Sequence, residues 1–380
     1  MTTANDGMTH SEAPQPKVVI VGGGYGGVNA AKALDAYADV VLIEPKDAFV
    51  HNVASLRALV EPAFLPSIFL PYDQLLARGR VERDRAIRVG PHRVVVASGK
   101  EIAADYVVLA TGSTYPFPAK SADDGTEAAL ARYRAAYDEL VPAARVLLIG
   151  AGAVGIELAG EIKSKWPEKV VTLLDFADDV LGDQFRPDLR TELRSQLVEM
   201  GVELALGTGL RELPKADEAE LGEFTVTTDD GRAITADIWF RCFGVDPVSD
   251  YLDAELAAAR GPDGFVTVGS ALQVAGYDNV FAIGDVSTAD AKMAGRAGRQ
   301  AHLVAENIRK LMHGDREVSP YEPLGPAIIV PIGPHGGSGQ LPGQDGLASR
   351  EMVSKAKGRD FMVARYAEIL GVATADRPHT

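Results

Sequence analysis

Cysteine is almost absent from this chain, which has 380 residues and a single thiol at Cys242. No disulfide can therefore form within the chain, and this suits a reducing compartment. The same absence excludes a redox-active cysteine pair, which disulfide reductases need beside their electron carrier. Because Cys242 lies in the apolar run 238–243, we expect it to be a buried structural thiol.

Metal-ligand patterns and targeting segments are missing as well. The seven histidines are scattered and form no pair at ligand spacing, so no metal site is predicted. No apolar run is long enough for a membrane-spanning helix. Residues 1–16 are polar and carry no secretory or transit pattern, which predicts a disordered tail. Thr2 follows the initiator in place of glycine, so we do not expect N-myristoylation.

Basic residues are outnumbered, with 38 Lys and Arg against 53 Asp and Glu, for a net charge of −15. This balance argues against nucleic acid as a partner and against simple adsorption to anionic lipid. We expect a cytoplasmic protein, monomeric or homodimeric, with at most peripheral contact at a membrane surface.

Two glycine motifs of the form G-x-G-x-x-G are the most informative feature that is present. Each follows a run typical of a buried strand and precedes an Ala-rich run typical of a helix. In that setting the glycines permit a tight turn, approach of a pyrophosphate and close packing of helix on strand. The motif glycines are Gly22, Gly24 and Gly27 in the first, with Gly26 beside them, and Gly150, Gly152 and Gly155 in the second, with Val154 beside them. Two motifs predict two dinucleotides, a flavin and a nicotinamide.

Acidic residues end the strands that follow or accompany these motifs. Glu44 ends the strand after the first motif, where a carboxylate binds the ribose of FAD or NAD. Asp175 holds the matching position after the second and would repel a 2′-phosphate, so we expect NADH to be preferred to NADPH. Asp285 ends a later buried strand, where a ligand hydroxyl such as the FAD ribitol is a natural partner; a helix N-cap is the alternative.

The order of the segments predicts an α/β fold with two Rossmann-like domains, of the glutathione-reductase type, and a small α+β C-terminal region. The FAD-binding domain would comprise 17–125 and 245–320, the NAD(P)H-binding domain 126–244, and the C-terminal region 321–380. Within these, we predict strands at 233–243 and 265–268, and a glycine-rich turn at 333–346 between strand-like runs. Small residues at Thr111 and Gly112 would let the chain pass close to a cofactor.

Several short sequence segments are specific enough to indicate a family. They are FVHNVASLR at 49–57, ATGSTYPFP at 110–118, EIK at 161–163, WPEK at 166–169, NVFAIGD at 279–285, KMA at 292–294 and KGRD at 357–360. In these segments the chain resembles the family of the AIF-like mitochondrion-associated inducer of death, also called ferroptosis suppressor protein. The resemblance extends over about residues 17–370. The resemblance implies non-covalent FAD, oxidation of NAD(P)H, and reduction of ubiquinone-, menaquinone- or vitamin K-type quinones.

The family resemblance also implies roles for individual residues. It places Glu157 beside the nicotinamide and matches Lys357 to a lysine implicated in turnover; composition alone leaves a helix-turn acid and a solvated lysine as alternatives. The cofactor-binding residues expected in addition to the glycines and acids above are Lys46, Asn52, Arg57, Thr111, Gly112, Lys292, Met293 and Ala294. His51 would line the approach to the flavin ring.

Two other functions stay open. One is a flavoprotein reductase that serves a protein electron carrier, although the net charge of −15 disfavours docking of an acidic ferredoxin. The other is an NADH-sensing redox signalling protein with slow turnover. Asp175 stands where the best-known family member lacks an acid, so the cofactor preference of that member is not transferred.

Overall fold

A computed structural model describes residues 15–373, so nearly all of the expected tail at 1–16 lies outside the described residues. The strands are β1 (Lys17–Val21), β2 (Asp39–Ile43), β3 (Ala48–Val50), β4 (Phe69–Pro71), β5 (Arg80–Glu82), β6 (Ala86–Val89), β7 (Arg93–Val96), β8 (Glu101–Ala103), β9 (Tyr106–Leu109), β10 (Ser113–Thr114), β11 (Arg145–Ile149), β12 (Val170–Leu174), β13 (Val202–Ala205), β14 (Phe224–Thr227), β15 (Ala233–Ala236), β16 (Ile238–Arg241), β17 (Asp246–Pro247), β18 (Val280–Ala282), β19 (Ile328–Ile332) and β20 (Gly336–Gln340). The helices are α1 (Tyr25–Leu34), α2 (Ser55–Val60), α3 (Thr126–Leu140), α4 (Ala153–Lys165), α5 (Pro187–Glu199), α6 (Ala294–Met312), α7 (Arg350–Val353) and α8 (Val363–Ile369).

The first parallel sheet has the strand order β18-β9-β1-β2-β5. Side chains alternate between its faces, as in any strand. Val18 and Ile20 pack with residues of α1 and α6, whereas Val19 and Val21 pack with residues of the antiparallel sheet β6-β7-β8. Because β18 lies far along the chain from β9, this sheet joins segments on both sides of the second unit.

The second parallel sheet has the order β13-β12-β11-β16. Val146 and Leu148 of β11 pack with α4 and α5, and Leu147 and Ile149 pack beneath the hairpin of β14 and β15. Each sheet thus places one glycine motif between its first strand and first helix. The predicted α/β class with two dinucleotide-type units is confirmed.

Two strand predictions were wrong in detail. The run 233–243 is split at Asp237, because its carboxylate accepts hydrogen bonds from the backbone N–H groups of Ala144 and Arg145. β15 therefore belongs to a hairpin and β16 to the parallel sheet. The run 265–268 forms no regular strand; Val266 and Val268 make only isolated bridges.

The glycine-rich stretch predicted as a turn contains a strand, since β20 pairs with β19 in an antiparallel hairpin. Gly337 has φ +113°, and a Cβ there would lie 2.2 Å from the Val330 carbonyl oxygen. The backbone N–H of Gly337 donates to Gln196 Oε1 on α5 at 2.7 Å. Glycine is needed here because the hairpin backbone passes so close to its partners.

The described part of the chain closes with a C-terminal segment of α7, a π turn at Ser354–Gly358, and α8. Phe361 and Met362, between the π turn and α8, both have left-handed backbone, with φ of +52° and +63°. Tyr366 and Ala367 of α8 are buried in the core that contains α1. The apolar side of α8 is therefore used within the protein. In the described part of the chain, no helix has the length and hydropathy of a membrane span.

Candidate functional site

The first glycine loop has a rigid turn with one open position. Gly22 has φ +103°, and a Cβ there would lie 2.5 Å from the Ala110 carbonyl oxygen. A Cβ on Gly27 would lie 1.8 Å from the Gly22 carbonyl oxygen. A Cβ on Gly24, in contrast, would meet no protein atom within 4 Å. The first and third glycines are thus required by the fold, whereas the second leaves free space at the start of α1, where a pyrophosphate binds in such motifs.

The second loop repeats this arrangement. Gly150 has φ +111°, and its Cβ would lie 2.9 Å from the Cys242 carbonyl oxygen. A Cβ on Gly155 would lie 1.9 Å from the Gly150 carbonyl oxygen, and one on Gly152 would meet nothing within 4 Å. Both loops therefore fit a dinucleotide.

Glu44 is held against the first loop by backbone groups. Its Oε2 accepts a hydrogen bond of 2.5 Å from the N–H of Gly23, and its Oε1 accepts one of 3.0 Å from the N–H of Lys46. Burial raises the pKa of Glu44, and the two backbone hydrogen bonds oppose that rise. Each carboxylate oxygen keeps a lone pair for a ribose hydroxyl.

Asp175 is held against the second loop in the same way. Its Oδ2 accepts from the N–H of Ala151 at 2.6 Å, and its Oδ1 accepts from the N–H of Ala177 at 2.9 Å. In both units the acid is therefore fixed by the residue after the first motif glycine and by the residue two positions after itself. The acids stand where the sequence predicted ribose contacts.

Asp285 lies at the carboxyl end of β18, beside the strand end at 111–113. Its Oδ2 accepts a hydrogen bond from Ser113 Oγ at 2.8 Å and lies 3.3 Å from Lys120 Nζ. Thr111 Oγ1 donates to the Val248 carbonyl oxygen at 2.6 Å. Gly112 has φ +68° with open space at its Cβ. The predicted strand-end residues thus meet at one edge of the first sheet.

Glu157 and Lys357 form an ion pair, with Lys357 Nζ 2.6 Å from Glu157 Oε1. Glu157 lies on α4 and Lys357 in the π turn of the C-terminal segment. Their side chains are only 8% and 16% exposed. Burial raises the pKa of Glu157, while the Lys357 ammonium and its hydrogen bond oppose the rise. The two residues predicted to act in catalysis are thus brought together.

Arg57 on α2 forms a second buried pair, with Glu161 one turn after Glu157 on α4. Arg57 Nη2 donates to Glu161 Oε1 at 2.8 Å, and Arg57 Nε donates to Oε2. Arg57 Nη2 also donates to the Gly358 carbonyl oxygen at 3.0 Å, and the guanidinium lies 4.9 Å from the Phe361 ring centroid. Arg57 therefore connects both domains and the C-terminal segment.

His51 links the first domain to the same segment. Its Nε2 lies 2.6 Å from the Phe361 carbonyl oxygen, which only accepts, so Nε2 carries the proton. Its Nδ1 then accepts from the Tyr25 hydroxyl at 3.1 Å, and that hydroxyl accepts from the N–H of Val53 at 2.9 Å. Burial lowers the pKa of His51 to about 4, so the ring is neutral at pH 7.

The other predicted residues lie near these groups. Lys46 Nζ donates to the carbonyl oxygens of Ser121 and Asp123. Lys292 Nζ donates to backbone carbonyls and lies 4.3 Å from the Phe265 ring centroid. The remaining positions are Asn52 at the start of a 3-10 turn, Gly26 in α1, Val154 in the first turn of α4, and Met293 and Ala294 at the start of α6.

Sequence reasoning missed several partners of the site. The sequence singled out Glu161 only within the segment EIK at 161–163, although Glu161 lies four residues after Glu157 and so on the same helix face. That spacing was a usable signal. Tyr25 and Lys120 gave none, because their partners are distant in the chain.

Two parallel sheets, each with an open glycine loop and a fixed acid, define a protein that binds two dinucleotides. A model of the pyridine nucleotide-disulphide oxidoreductase family matches residues 16–305, and the chain belongs to that family. It is 33% identical to ferroptosis suppressor protein 1 of Mus musculus, over 91% of this chain and 94% of that protein. It is 32% identical to the protein of that name from Taeniopygia guttata, over 93% of this chain and 96% of that protein. The resemblance inferred from the sequence is confirmed.

Solved structures show the same fold at low identity. The sulfide:quinone oxidoreductase of Aquifex aeolicus superposes with a TM-score of 0.73 at 15% identity, covering 93% of this chain and 91% of that one. The predictions of an oxidoreductase and of FAD and pyridine nucleotide as its cofactors are confirmed by the family. Disulfide chemistry is not available to this member, because Cys242 is buried and burial raises the pKa of its thiol.

Proposed function

We propose that this protein is an FAD-dependent NADH:quinone oxidoreductase. The observation that carries the proposal is the pair of equivalent dinucleotide loops in a chain whose one thiol is buried. Electrons from a pyridine nucleotide have no disulfide to enter, so they must leave to an external acceptor. FAD, when bound, supplies the chemistry by accepting a hydride from the nicotinamide and passing electrons on.

The residues of the chain bind and orient the two nucleotides. The loop 22–27 and Glu44 would hold the FAD pyrophosphate and adenosine ribose, and Asp285, fixed by Ser113, would receive a ribitol hydroxyl. The loop 150–155 and Asp175 would hold NADH. The ion pair of Glu157 and Lys357 fixes buried charge of both signs near the start of α4, after the second loop, and would orient the nicotinamide of a bound NADH.

A quinone is the acceptor class that the relatives support. The matched structure named a sulfide:quinone oxidoreductase shares the fold over nearly the whole of both chains. Where the C-terminal segment packs on the first domain, the buried rings of Phe49 and Tyr366 and the partly buried ring of Tyr25 lie around His51. These rings give the C-terminal side of that domain an apolar character, which suits an apolar acceptor.

The test is to reduce the purified FAD-loaded protein with NADH under argon and to rank acceptors by the rate of flavin reoxidation. Short-chain ubiquinone and menaquinone should reoxidise the flavin faster than ferredoxin, cytochrome c or oxygen. Faster reoxidation by a protein carrier would replace the proposal with the reductase function. Slow reoxidation by every acceptor would favour an NADH-sensing role.

NADH should be the preferred donor, because the Asp175 carboxylate, held by the N–H groups of Ala151 in the second loop and of Ala177, repels a 2′-phosphate. Asp178 adds negative charge to the same turn, whereas Asp179 is paired with Arg190 and Arg194. The kcat/KM for NADH should exceed that for NADPH by about tenfold or more. Asp175→Ala should lower the ratio of kcat/KM for NADH to kcat/KM for NADPH, and Asp217→Ala should leave this ratio unchanged. Equal kcat/KM for the two donors in the unmodified protein would contradict this preference.

We further propose that this is a cytoplasmic protein whose contact with a membrane is peripheral and reversible. Support comes from the packing of Tyr366, Ala367 and Leu370 in the core, which leaves the apolar side of α8 unavailable to lipid. Flotation of the full chain with neutral and anionic liposomes tests this. Salt-resistant co-flotation that disappears when residues after Gly358 are removed would identify the tail as an anchor.

A further inference from the structure

Phe176 is an aromatic side chain left in solvent at the candidate NADH site. It directly follows Asp175 at the carboxyl end of β12 and is 83% exposed. Among large hydrophobic residues in the described range 15–373, it has the greatest exposed fraction, and Val198 follows at 58%. Single exposed apolar residues are common on protein surfaces. Phe176 differs in its location and in the rigidity of the turn that holds it.

The backbone on both sides of Phe176 is fixed. The N–H of Asp175 donates to the Ala205 carbonyl oxygen at 3.1 Å, and the N–H of Gly207 donates to the Ala177 carbonyl oxygen at 2.8 Å. The N–H of Ala177 donates to the Asp175 carboxylate at 2.9 Å. The ring is therefore attached to a defined turn, beside the loop that follows β13. Covering it with a ligand would recover the free energy of apolar burial without first ordering the chain.

The position of the ring relative to Asp175 indicates which part of the ligand covers it. The Asp175 carboxylate lies 2.6 Å from the backbone nitrogen of Ala151 in the glycine loop. A nucleotide with its pyrophosphate at Gly152 and its ribose on Asp175 must extend its base beyond Asp175, away from the loop. Phe176 is the next residue along the chain after Asp175, and the turn that carries it is joined to the loop after β13 by the hydrogen bond from the N–H of Gly207 to the Ala177 carbonyl oxygen.

We propose that Phe176 stacks on the adenine of NADH and sets the affinity of this protein for adenine-containing donors. This rests on the proposed function, of which it specifies one ligand contact. Every base offers a π face to an aromatic ring, and removing such a stack weakens binding by about tenfold. The hydride-donating end of the ligand, held near Glu157, does not touch Phe176.

The experiment uses FAD-loaded protein, so that the first loop is filled. Calorimetry would measure binding of NAD⁺ and of ADP-ribose to the unmodified protein, Phe176→Ala, Phe176→Leu and Phe176→Trp, with Val198→Ala as the exposed apolar control. We expect the dissociation constants of both ligands to rise about tenfold in Phe176→Ala and less in Phe176→Leu. Phe176→Trp and Val198→Ala should retain the original affinity. Reduction of the flavin by NMNH, which has no adenosine, should be the same in all five proteins.

Unchanged affinity for ADP-ribose in Phe176→Ala would overturn the inference while leaving the oxidoreductase intact. Slower reduction by NMNH in Phe176→Ala would also overturn it, because the substitution would then act on the whole domain. If the unmodified protein binds neither NAD⁺ nor ADP-ribose, the proposed NADH site itself is wrong.

Discussion

Glu157 and Lys357 are 200 residues apart in the chain, and their charged groups meet at 2.6 Å. The pair joins α4 of the second domain to the π turn of the C-terminal segment. Because both side chains are largely buried, each depends on the other for compensation of its charge. The pair therefore determines both the position of Lys357 and the charge near the candidate nicotinamide site.

Replacing Glu157 by glutamine should slow flavin reduction by NADH. The amide keeps the shape of the side chain but leaves Lys357 without its counter-charge, so we expect the rate to fall by about 10²-fold. Bound FAD should remain, since Glu157 lies outside the first glycine loop. Stopped-flow absorbance measures the rate, and Glu199→Gln, which alters an exposed pair with Arg350, is the control. An unaltered rate in Glu157→Gln would leave Glu157 as a structural acid.

The pair of Arg57 and Glu161 should contribute mainly to stability. Their side chains are 8% and 2% exposed, so Glu161→Gln leaves a buried guanidinium unpaired. We expect this to lower the free energy of unfolding by about 3–5 kcal/mol. The double variant Arg57→Met, Glu161→Met should recover part of the loss, because no charge is then buried. Recovery is incomplete since the Gly358 carbonyl loses its donor.

Urea unfolding of the FAD-loaded protein, followed by far-UV circular dichroism, measures these changes. Arg350→Met, which removes an exposed ion pair with Glu199, should change stability by at most about 1 kcal/mol. If Glu161→Gln were as mild as Arg350→Met, the buried pair would not be the connection between domains that the structure indicates.

The two open glycines provide a reciprocal test of the cofactor assignments. Gly24 and Gly152 have extended backbone, with φ of −76° and −71°, and a Cβ at either meets no protein atom within 4 Å. Valine should therefore fit the protein at both positions and occupy only the space of a ligand. Gly24→Val should purify without FAD, whereas Gly152→Val should keep FAD and lose NADH binding.

Flavin absorbance after purification and calorimetry with NAD⁺ measure the two outcomes. Each variant controls for the other, because the substitution and its backbone setting are the same. Full flavin content in Gly24→Val would refute the assignment of the first loop to FAD, and loss of flavin in Gly152→Val would exchange the two assignments.

The sequence predicted those parts of the site that depend on local pattern. The glycine loops and Glu44 and Asp175 follow from residues at fixed spacing around a strand and a helix, and the structure places them accordingly. The partners of Arg57 and His51 could not be derived, because Gly358 and Phe361 reach them from about 300 residues away. Such contacts depend on tertiary packing.

The errors in strand prediction have the same origin. Composition favoured a turn at 333–346, but the close approach of β19 and Gln196 selects glycine in a paired strand. The apolar run 265–268 satisfied the local pattern for a strand, yet only Val266 and Val268 find bridge partners. In each case the local preference was overruled by what lies beside the segment.

His51 should make the protein less stable in mild acid. Its pKa is lowered to about 4 in the folded protein, from an ordinary value of about 6.5, by burial and by the nearby Lys357 ammonium, while the hydrogen bond to the Phe361 carbonyl and the charge of Asp360 oppose the shift. Between pH 6.5 and 4 the unfolded chain therefore binds a proton at this residue that the folded protein does not. Stability falls as the pH decreases through this window, by up to about 3 kcal/mol at its lower end.

Urea unfolding at pH 7.5, 5.5 and 4.5 tests this with His51→Gln, in which no proton binds at position 51. Burial raises the pKa of Glu44, Glu157 and Glu161, which has the opposite effect on stability, but these groups remain in both proteins. The difference in unfolding free energy between unmodified protein and variant should therefore shrink or reverse as the pH falls from 7.5 to 4.5. His302→Gln, on the exposed side of α6, should follow the unmodified protein. Parallel pH curves for the unmodified protein and His51→Gln would show that His51 is free to protonate in the folded state, contrary to its contacts with Tyr25 and Phe361.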